Sequence, residues 1–196
     1  MKEKASLPLS TWSGSSASPL VAAYYEINHL KQLYRQGWLR RGVPAERCES
    51  VAEHVFGMAM LSWWLADAVY PNLDREKVIR MVLVHEIGEV YTGDIIPSDH
   101  IPRGEKHRLE RNALEQVVGK LSRGAEYLAL WEEFERGETA EAKLVRQVDR
   151  LEMAFQASIY ERQDLGDMQE FFTSASQAMI DDHFKEILRE LESHRR

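Results

Sequence analysis

Hydrophobic residues recur at intervals of three and four positions along the chain from Pro19 onward. This spacing is typical of amphipathic α-helices, whereas a β-strand would show alternating apolar and polar residues. The pattern predicts an all-α protein, a single-domain bundle of about six to seven helices. The predicted helices span residues 21–36, 50–69, 74–91, 104–121, 125–136, 139–162 and about 168–192.

Residues that begin and end helices support these boundaries. Ser50 and Glu53 match the pattern of a capping box at the start of the second helix. Gly93 is placed to end the third. Residues 95–102 contain two prolines, so this segment is predicted to be a loop.

The first 19 residues are rich in serine and threonine and contain no sustained apolar run. We therefore expect neither a signal peptide nor a membrane anchor, but a flexible N-terminal arm (1–19) ahead of a domain over residues 20–196. A segment that docks on a partner subunit is the alternative for this arm. No other stretch approaches the ~18 apolar residues that cross a bilayer, so no membrane association is expected.

Composition and charge exclude several classes of function. The length of 196 residues suits one domain, and the hydrophobic content of 44% suits a packed core. The chain has 25 basic and 32 acidic residues, and the net charge of −7 argues against duplex nucleic acid as a partner. The single cysteine, Cys48, cannot form an internal disulfide, so a cytoplasmic location is expected.

Polar residues within the apolar faces of three predicted helices are candidates for a functional centre. His54 lies in the apolar face of the second helix, and His85 and Glu89 continue that of the third. Glu86 and Asp149 lie at the margins of the faces of the third and sixth helices. Because buried imidazoles and carboxylates need partners, we expect these groups to converge, and they can surround one divalent metal ion. A hydrogen-bonded core histidine is the alternative for either histidine taken alone.

Three segments, ESVAEH, LVHEIGEVYTGDI and LVRQVDRLEM, carry a resemblance to a known family. In this order they resemble the HD-domain metal-dependent phosphohydrolases, and within them the branch that contains the 5'-deoxynucleotidases, over about residues 24–163. The supporting strings GEKHRLE, ALWEEFE and AEAKLVRQVD follow in the same order. The resemblance implies an HD-type helical fold and a metal-dependent phosphohydrolase.

The resemblance assigns the metal ligands by motif position to His54, His85, Glu86 and Asp149. It implies one divalent ion, which is cobalt, manganese, zinc, iron, nickel or magnesium. The family has aspartate where this chain has Glu86, one methylene longer, so metal identity and affinity are expected to differ. An altered or metal-poor site is the alternative.

The same resemblance implies a phosphomonoesterase that hydrolyses 5'-(deoxy)nucleoside monophosphates to nucleoside and phosphate. It makes Glu89 the catalytic carboxylate and places Asp94 near the nucleophilic water or the substrate. Glu89 then either positions the water or donates a proton to the leaving 5'-oxygen. The alternatives are hydrolysis of cyclic or pyrophosphorylated nucleotides and a non-catalytic nucleotide-binding scaffold.

An acidic protein that binds phosphate needs local cations, and the resemblance places a phosphate-binding arginine upstream of His54 without fixing which one. Arg40 is ranked first, and the other candidates for substrate binding are Arg41, Arg47 and Lys106. Each is otherwise a solvated surface charge. Trp38 is a candidate for stacking on the base or sugar, with burial in the core as the alternative.

Trp63 and Trp64 fall on the side of the second predicted helix that is opposite His54. They mark either a subunit interface or burial under the first or seventh helix. The resemblance implies a homodimer, which is the expected oligomeric state.

Overall fold

The computed structural model describes residues 2–8 and 17–195, and it is all-α. Within these residues there is no β-strand, and isolated bridges join Glu3 to Leu33 and Tyr34 to Ser50. Short 3-10 helices occur at Asn28–Lys31 and Pro97–Asp99. The α-helices are α1 (Pro19–Ile27), α2 (Gln36–Arg40), α3 (Val51–Ala68), α4 (Arg75–Val84), α5 (Glu89–Thr92), α6 (Arg103–Val118), α7 (Gly124–Arg136), α8 (Ala140–Arg162), α9 (Gln169–Ala178) and α10 (Asp182–Ser193).

The all-α prediction is confirmed, but three of the predicted helices are divided. The first ends at Ile27 and is followed by the 3-10 helix and a bend before α2. A turn at residues 85–88 separates α4 from α5, and the last predicted helix is split into α9 and α10. Among the described residues, none of the helices combines the length and apolar character required to cross a bilayer.

Side-chain caps fix the first turns of the helices that carry the candidate ligands. The predicted capping box of α3 is confirmed: Ser50 Oγ accepts from the Glu53 N–H at 3.3 Å, and Glu53 Oε2 accepts from the Ser50 N–H at 2.6 Å. Thr139 Oγ1 accepts from the Ala142 N–H at the start of α8. Such caps satisfy N–H groups that have no partner inside the helix.

Helix α8 runs through the middle of the molecule and packs against α3, α4, α7, α9 and α10. Its Leu144, Val148 and Leu151 side chains are fully or almost fully buried. Since α3 and α4 also pack against each other, the three elements that carry the candidate metal ligands meet in one core.

Part of the predicted N-terminal arm contacts this helical body. The Lys2 N–H donates to Gln36 Oε1 at 3.0 Å, and Gln36 Nε2 donates to the Lys2 carbonyl at 2.8 Å. The Lys4 N–H donates to the Gln32 carbonyl at 2.6 Å. Residues 9–16 of the arm lie outside the described residues.

Candidate active site

Two buried histidines face each other where α3 meets the end of α4. His54 lies in α3, His85 caps α4, and their ring centroids are 5.9 Å apart. Nδ1 of His54 lies 2.5 Å from Glu152 Oε2, and Nδ1 of His85 lies 2.7 Å from the Val82 carbonyl oxygen. Because both partners are acceptors, each Nδ1 is the donor, and each Nε2 is the nitrogen available to a metal.

Asp149 on α8 completes a group of three. Its Oδ1 lies 3.3 Å from His54 Nε2, and one ligand atom each of His54, His85 and Asp149 lie within 4.8 Å of one another. Both Nε2 atoms are buried and lack a hydrogen-bond partner in the described part of the chain. A buried polar atom without a partner is costly, and imidazole nitrogens beside a carboxylate suit a divalent transition ion. These residues therefore fit the metal that the sequence resemblance implies.

The charges around this group favour a cation. Burial and Arg35 lower the pKa of His54, but Glu152 and Asp149 outweigh them and raise it to about 10. Burial would raise the pKa of Asp149, yet Arg150 and His54 hold it well below its usual range. The carboxylates thus stabilise positive charge at His54.

Glu86, the fourth predicted ligand, adjoins the group without joining it. Its Oε1 lies 3.5 Å from His85 Nε2 and 3.4 Å from Arg35 Nη1. Although burial would raise the pKa of Glu86, His85 and Arg35 hold it well below its usual range. The carboxylate is therefore ionised and lies between the imidazole and the guanidinium.

The turn at residues 85–88 explains how these groups converge. The expected continuous helix ends at Val84, and Gly88 lies against α6. A Cβ at Gly88 would lie 2.7 Å from the Glu110 carbonyl oxygen, so only glycine permits this approach without a shift. Glu89 then begins α5 in a buried position.

Glu89 and Asp94, the predicted catalytic acids, are both buried. Glu89 Oε2 lacks a hydrogen-bond partner among the described residues. Burial raises the pKa of Glu89 well above its usual value, and the charges of Glu86 and Asp94 add to the effect. Asp94 instead accepts from the Gln36 N–H at 2.5 Å and from Arg35 Nη1 at 3.1 Å.

Arg35 is the cation that the sequence analysis missed. Burial would lower its pKa, but Asp94 and Glu86 raise it well above its usual value. The predicted first helix spans residues 21–36, so it places Arg35 in an ordinary last turn. The signal in the sequence is the arginine that the resemblance places upstream of His54, a role for which Arg40 is ranked first.

Lys106 approaches the same acids from α6. Its Nζ donates to the Ile95 carbonyl at 3.1 Å and lies 3.4 Å from Glu110 Oε1. Burial lowers the pKa of Lys106, but Glu110, Glu86 and Glu89 outweigh this and raise it. Lys106 is thus the predicted substrate-binding residue whose charge acts on the candidate site.

The other predicted substrate-binding residues have partners elsewhere. Three arginines are exposed and bond to surface groups: Arg40 to Ser98 and Asp99, Arg41 to Glu170, and Arg47 to Gln163. Trp38 is 1% exposed and packs against Tyr160 and Phe171. Since its ring is covered by protein, Trp38 is a core residue and the stacking prediction is wrong.

The candidate site reaches solvent on its charged side. The side chains of Arg35, Glu86 and Asp149 are 11%, 15% and 16% exposed, whereas that of His54 is 0% exposed. A groove of about 780 Å³ lies on the opposite side of His54, where Glu152 forms part of its wall. The open side of the group is therefore the side on which Arg35 lies.

Comparisons with known proteins show the family of this chain. The profile of the HD domain family matches residues 27–192. The human protein named 5'-deoxynucleotidase HDDC2 is 37% identical over 197 residues, covering 97% of this chain and 93% of that protein. A conserved hypothetical protein from Pyrococcus furiosus has a similar structure, with a TM-score of 0.75 at 28% identity, covering 88% of this chain and 99% of the other. A protein from Magnetospirillum magnetotacticum described as a predicted metal-dependent phosphohydrolase gives 0.67 at 27% identity, with coverage of 90% and 92%. This chain belongs to the HD domain family.

Proposed function

We propose that this protein is a metal-dependent phosphomonoesterase that hydrolyses 5'-(deoxy)nucleoside monophosphates to nucleoside and inorganic phosphate. The observation that carries the proposal is the pair of buried, unpartnered Nε2 atoms of His54 and His85 beside Asp149. The relatives named 5'-deoxynucleotidase support the choice of substrate.

His54, His85 and Asp149 would hold one divalent ion, with Glu86 as a fourth ligand 3.5 Å from His85 Nε2. The two imidazole nitrogens favour a transition ion, and the carboxylates supply negative charge. When bound, a divalent ion polarises a phosphoryl oxygen and lowers the pKa of a water molecule.

Arg35 binds the phosphate of the substrate in this proposal. Its guanidinium is held by Glu86 and Asp94 and remains 11% exposed on the open side of the group. Guanidinium presents five N–H donors in a fork that suits phosphate oxygens, so donors remain after these two contacts. Lys106 adds a second positive charge from α6.

Glu89 donates a proton to the leaving 5'-oxygen. Its buried, unpartnered Oε2 and its raised pKa suit a carboxyl group that acts as a proton donor. Both oxygens of Asp94 already accept hydrogen bonds, so we assign Asp94 to the orientation of Arg35 beside the substrate.

A phosphate-release assay tests this function. Metal-free protein and protein reconstituted with Co²⁺, Mn²⁺ or Zn²⁺ are supplied with 5'-, 3'- and cyclic nucleotides and with pyrophosphorylated guanosine nucleotides. We expect release from 5'-monophosphates with added metal only. Turnover confined to cyclic or pyrophosphorylated substrates, or absent for every nucleotide, would contradict the proposal and favour one of the alternatives named above.

We also propose that the protein is a homodimer. Trp63 and Trp64 are 54% and 59% exposed, so their burial under another helix of the same chain is wrong. Trp64 lines one groove with Phe56 and Ile159, which are also exposed, and such an apolar area is unusual for a monomer. Light scattering should give twice the chain mass, and Trp64→Ser should shift the protein toward monomer. A cytoplasmic location, expected from the single cysteine, is part of the same proposal.

A further inference from the structure

The two carboxylates nearest His54 come from one helix and lie at opposite sides of its ring. Asp149 Oδ1 lies 3.3 Å from Nε2, and Glu152 Oε2 lies 2.5 Å from Nδ1. Positions three apart share one face of an α-helix, so α8 presents both acids to the same imidazole. One acid thus belongs to the candidate metal group, and the other lies behind the ring.

Glu152 has no other charge partner in the described part of the chain. Its side chain is 8% exposed, and neither a lysine nor an arginine there forms an ion pair with it. Burying a carboxylate is costly unless it is paired. The imidazole of His54 therefore accounts for the position of Glu152.

Gly57 gives independent support, because it makes room for this carboxylate. It lies inside α3, three residues after His54, where glycine is less favourable than alanine. A Cβ built on Gly57 would lie 2.6 Å from Glu152 Oε1 and 3.3 Å from its Cδ. A larger residue at position 57 would therefore push Glu152 away from His54.

We infer that Glu152 is a positioning residue of the metal centre. The Glu152 carboxylate fixes the ring of His54 and its Nδ1 proton so that Nε2 faces the ion, and Gly57 provides the space for this carboxylate. The inference rests on the proposed metal-dependent function. A carboxylate behind a ligating histidine orients the ring and makes Nε2 a stronger metal ligand. Removing such a partner typically weakens metal binding by about 10- to 100-fold.

Glu49 is the matched control. It also lies within 4.8 Å of His54 and Glu152, measured between possible ligand atoms. Its Oε1 accepts from Trp38 Nε1 at 2.7 Å, and a glutamine oxygen can accept the same bond. Glu49→Gln therefore makes the same chemical change beside Glu152 while leaving His54 Nδ1 with its acceptor.

The test measures Co²⁺ affinity of the metal-free proteins by competition with a chelator and records the visible spectrum of the Co²⁺ forms. We expect Glu152→Gln and Gly57→Ala to weaken binding by about 10- to 100-fold and to shift the Co²⁺ absorption bands. Glu49→Gln and Gly104→Ala should stay within about threefold of wild type, since a Cβ at Gly104 meets no atom within 4 Å. Circular dichroism melting of the metal-free proteins shows whether each variant is folded at the assay temperature.

Each outcome bears on the inference. Wild-type affinity and spectrum in folded Glu152→Gln would overturn the inference. An equal loss of Co²⁺ affinity in Glu49→Gln would also overturn it, because that result would mean that Glu49, His54 and Glu152 bind a cation of their own. If Glu152→Gln does not fold, the Co²⁺ affinities of Gly57→Ala and Gly104→Ala are compared instead. Weaker binding in Gly57→Ala alone supports the inference, and equal affinities overturn it. Failure of the wild type to bind Co²⁺ would instead refute the proposed function.

Discussion

Arg35 and Asp94 form an ion pair in which Arg35 Nη1 donates to Asp94 Oδ1 at 3.1 Å. The N–H of the next residue, Gln36, donates to the other oxygen of the same carboxylate at 2.5 Å. Two consecutive residues thus fix Asp94, and Asp94 in turn fixes the guanidinium. Glu86 Oε1, 3.4 Å from the same Nη1, connects this pair to His85. The candidate phosphate-binding arginine is therefore positioned before any substrate arrives.

This arrangement predicts that Arg35, and not Arg40, binds phosphate. Arg35→Gln should lower kcat/KM for a 5'-monophosphate by on the order of 100-fold, since it removes charge-assisted hydrogen bonds to the phosphoryl group. Arg40→Gln should leave kcat/KM within about threefold, because Arg40 bonds to Ser98 and Asp99. Steady-state kinetics on both variants, with circular dichroism as a folding control, make the comparison. The reverse ranking would restore Arg40 to the role.

The fold could be predicted from the sequence because the apolar spacing and the caps act locally. Ser50 and Glu53 mark the start of α3 within four residues of each other, and the structure contains that capping box. The turn at residues 85–88 could not be predicted in this way. It depends on the approach of Glu110 from α6 to Gly88, a contact between segments that are distant in sequence.

The residues of the candidate site that follow helical periodicity could be predicted from the sequence, and those in irregular segments could not. His54 and Asp149 lie on helices, and the helical wheel placed both near the core. Glu152 follows the same rule, four residues after buried Val148, and the same reasoning would have found it. Arg35 lies in an irregular segment before α2, where no helical period applies. The resemblance indicates an arginine upstream of His54, but only the tertiary contacts with Glu86 and Asp94 single out Arg35.

Glu89→Gln should abolish proton donation without removing the metal ligands. Glutamine has nearly the same shape but cannot release a proton, so we expect kcat to fall by about 10²- to 10⁴-fold. Metal content, measured by elemental analysis, should stay at the wild-type level. Wild-type kcat in this variant would remove Glu89 from the mechanism, and loss of metal would show that it acts as a ligand.

Glu86→Asp should be tolerated and should broaden the range of metals that support activity. In the wild type, Glu86 Oε1 lies 3.4 Å from Arg35 Nη1 and 3.5 Å from His85 Nε2. The shorter aspartate side chain withdraws its oxygen from both groups. Melting curves and activity with Mn²⁺, Co²⁺, Ni²⁺ and Zn²⁺ check the prediction. If Glu86→Asp fails to fold, the longer side chain is required for packing.

The free energy of unfolding should decrease at acid pH because Glu161, which lies away from the candidate site, becomes protonated. Arg195 Nη2 and Nε donate to the two oxygens of Glu161 at 2.7 and 2.9 Å. This bidentate pair holds the pKa of Glu161 below its usual value. A lowered pKa in the folded state adds stability above the unfolded pKa, and that stability is lost as the pH falls.

We therefore expect Glu161→Gln to lower the free energy of unfolding by about 1 kcal/mol at pH 7. The difference from wild type should shrink as the pH falls below the ordinary glutamate pKa of about 4 and on through the lower pKa of Glu161 in the folded state. Urea unfolding at pH 7 and at a pH below about 4 measures this difference, and Glu190→Gln at an exposed position is the control. A difference that is constant with pH would mean that packing, and not charge, is responsible.

Isothermal titration of Co²⁺ into metal-free protein tests the central claim, that His54, His85 and Asp149 form one metal centre. The wild-type protein should bind one ion per chain, and His85→Ala and Asp149→Ala should each lose that binding while remaining folded by circular dichroism. Wild-type stoichiometry and affinity in either folded variant would contradict the account.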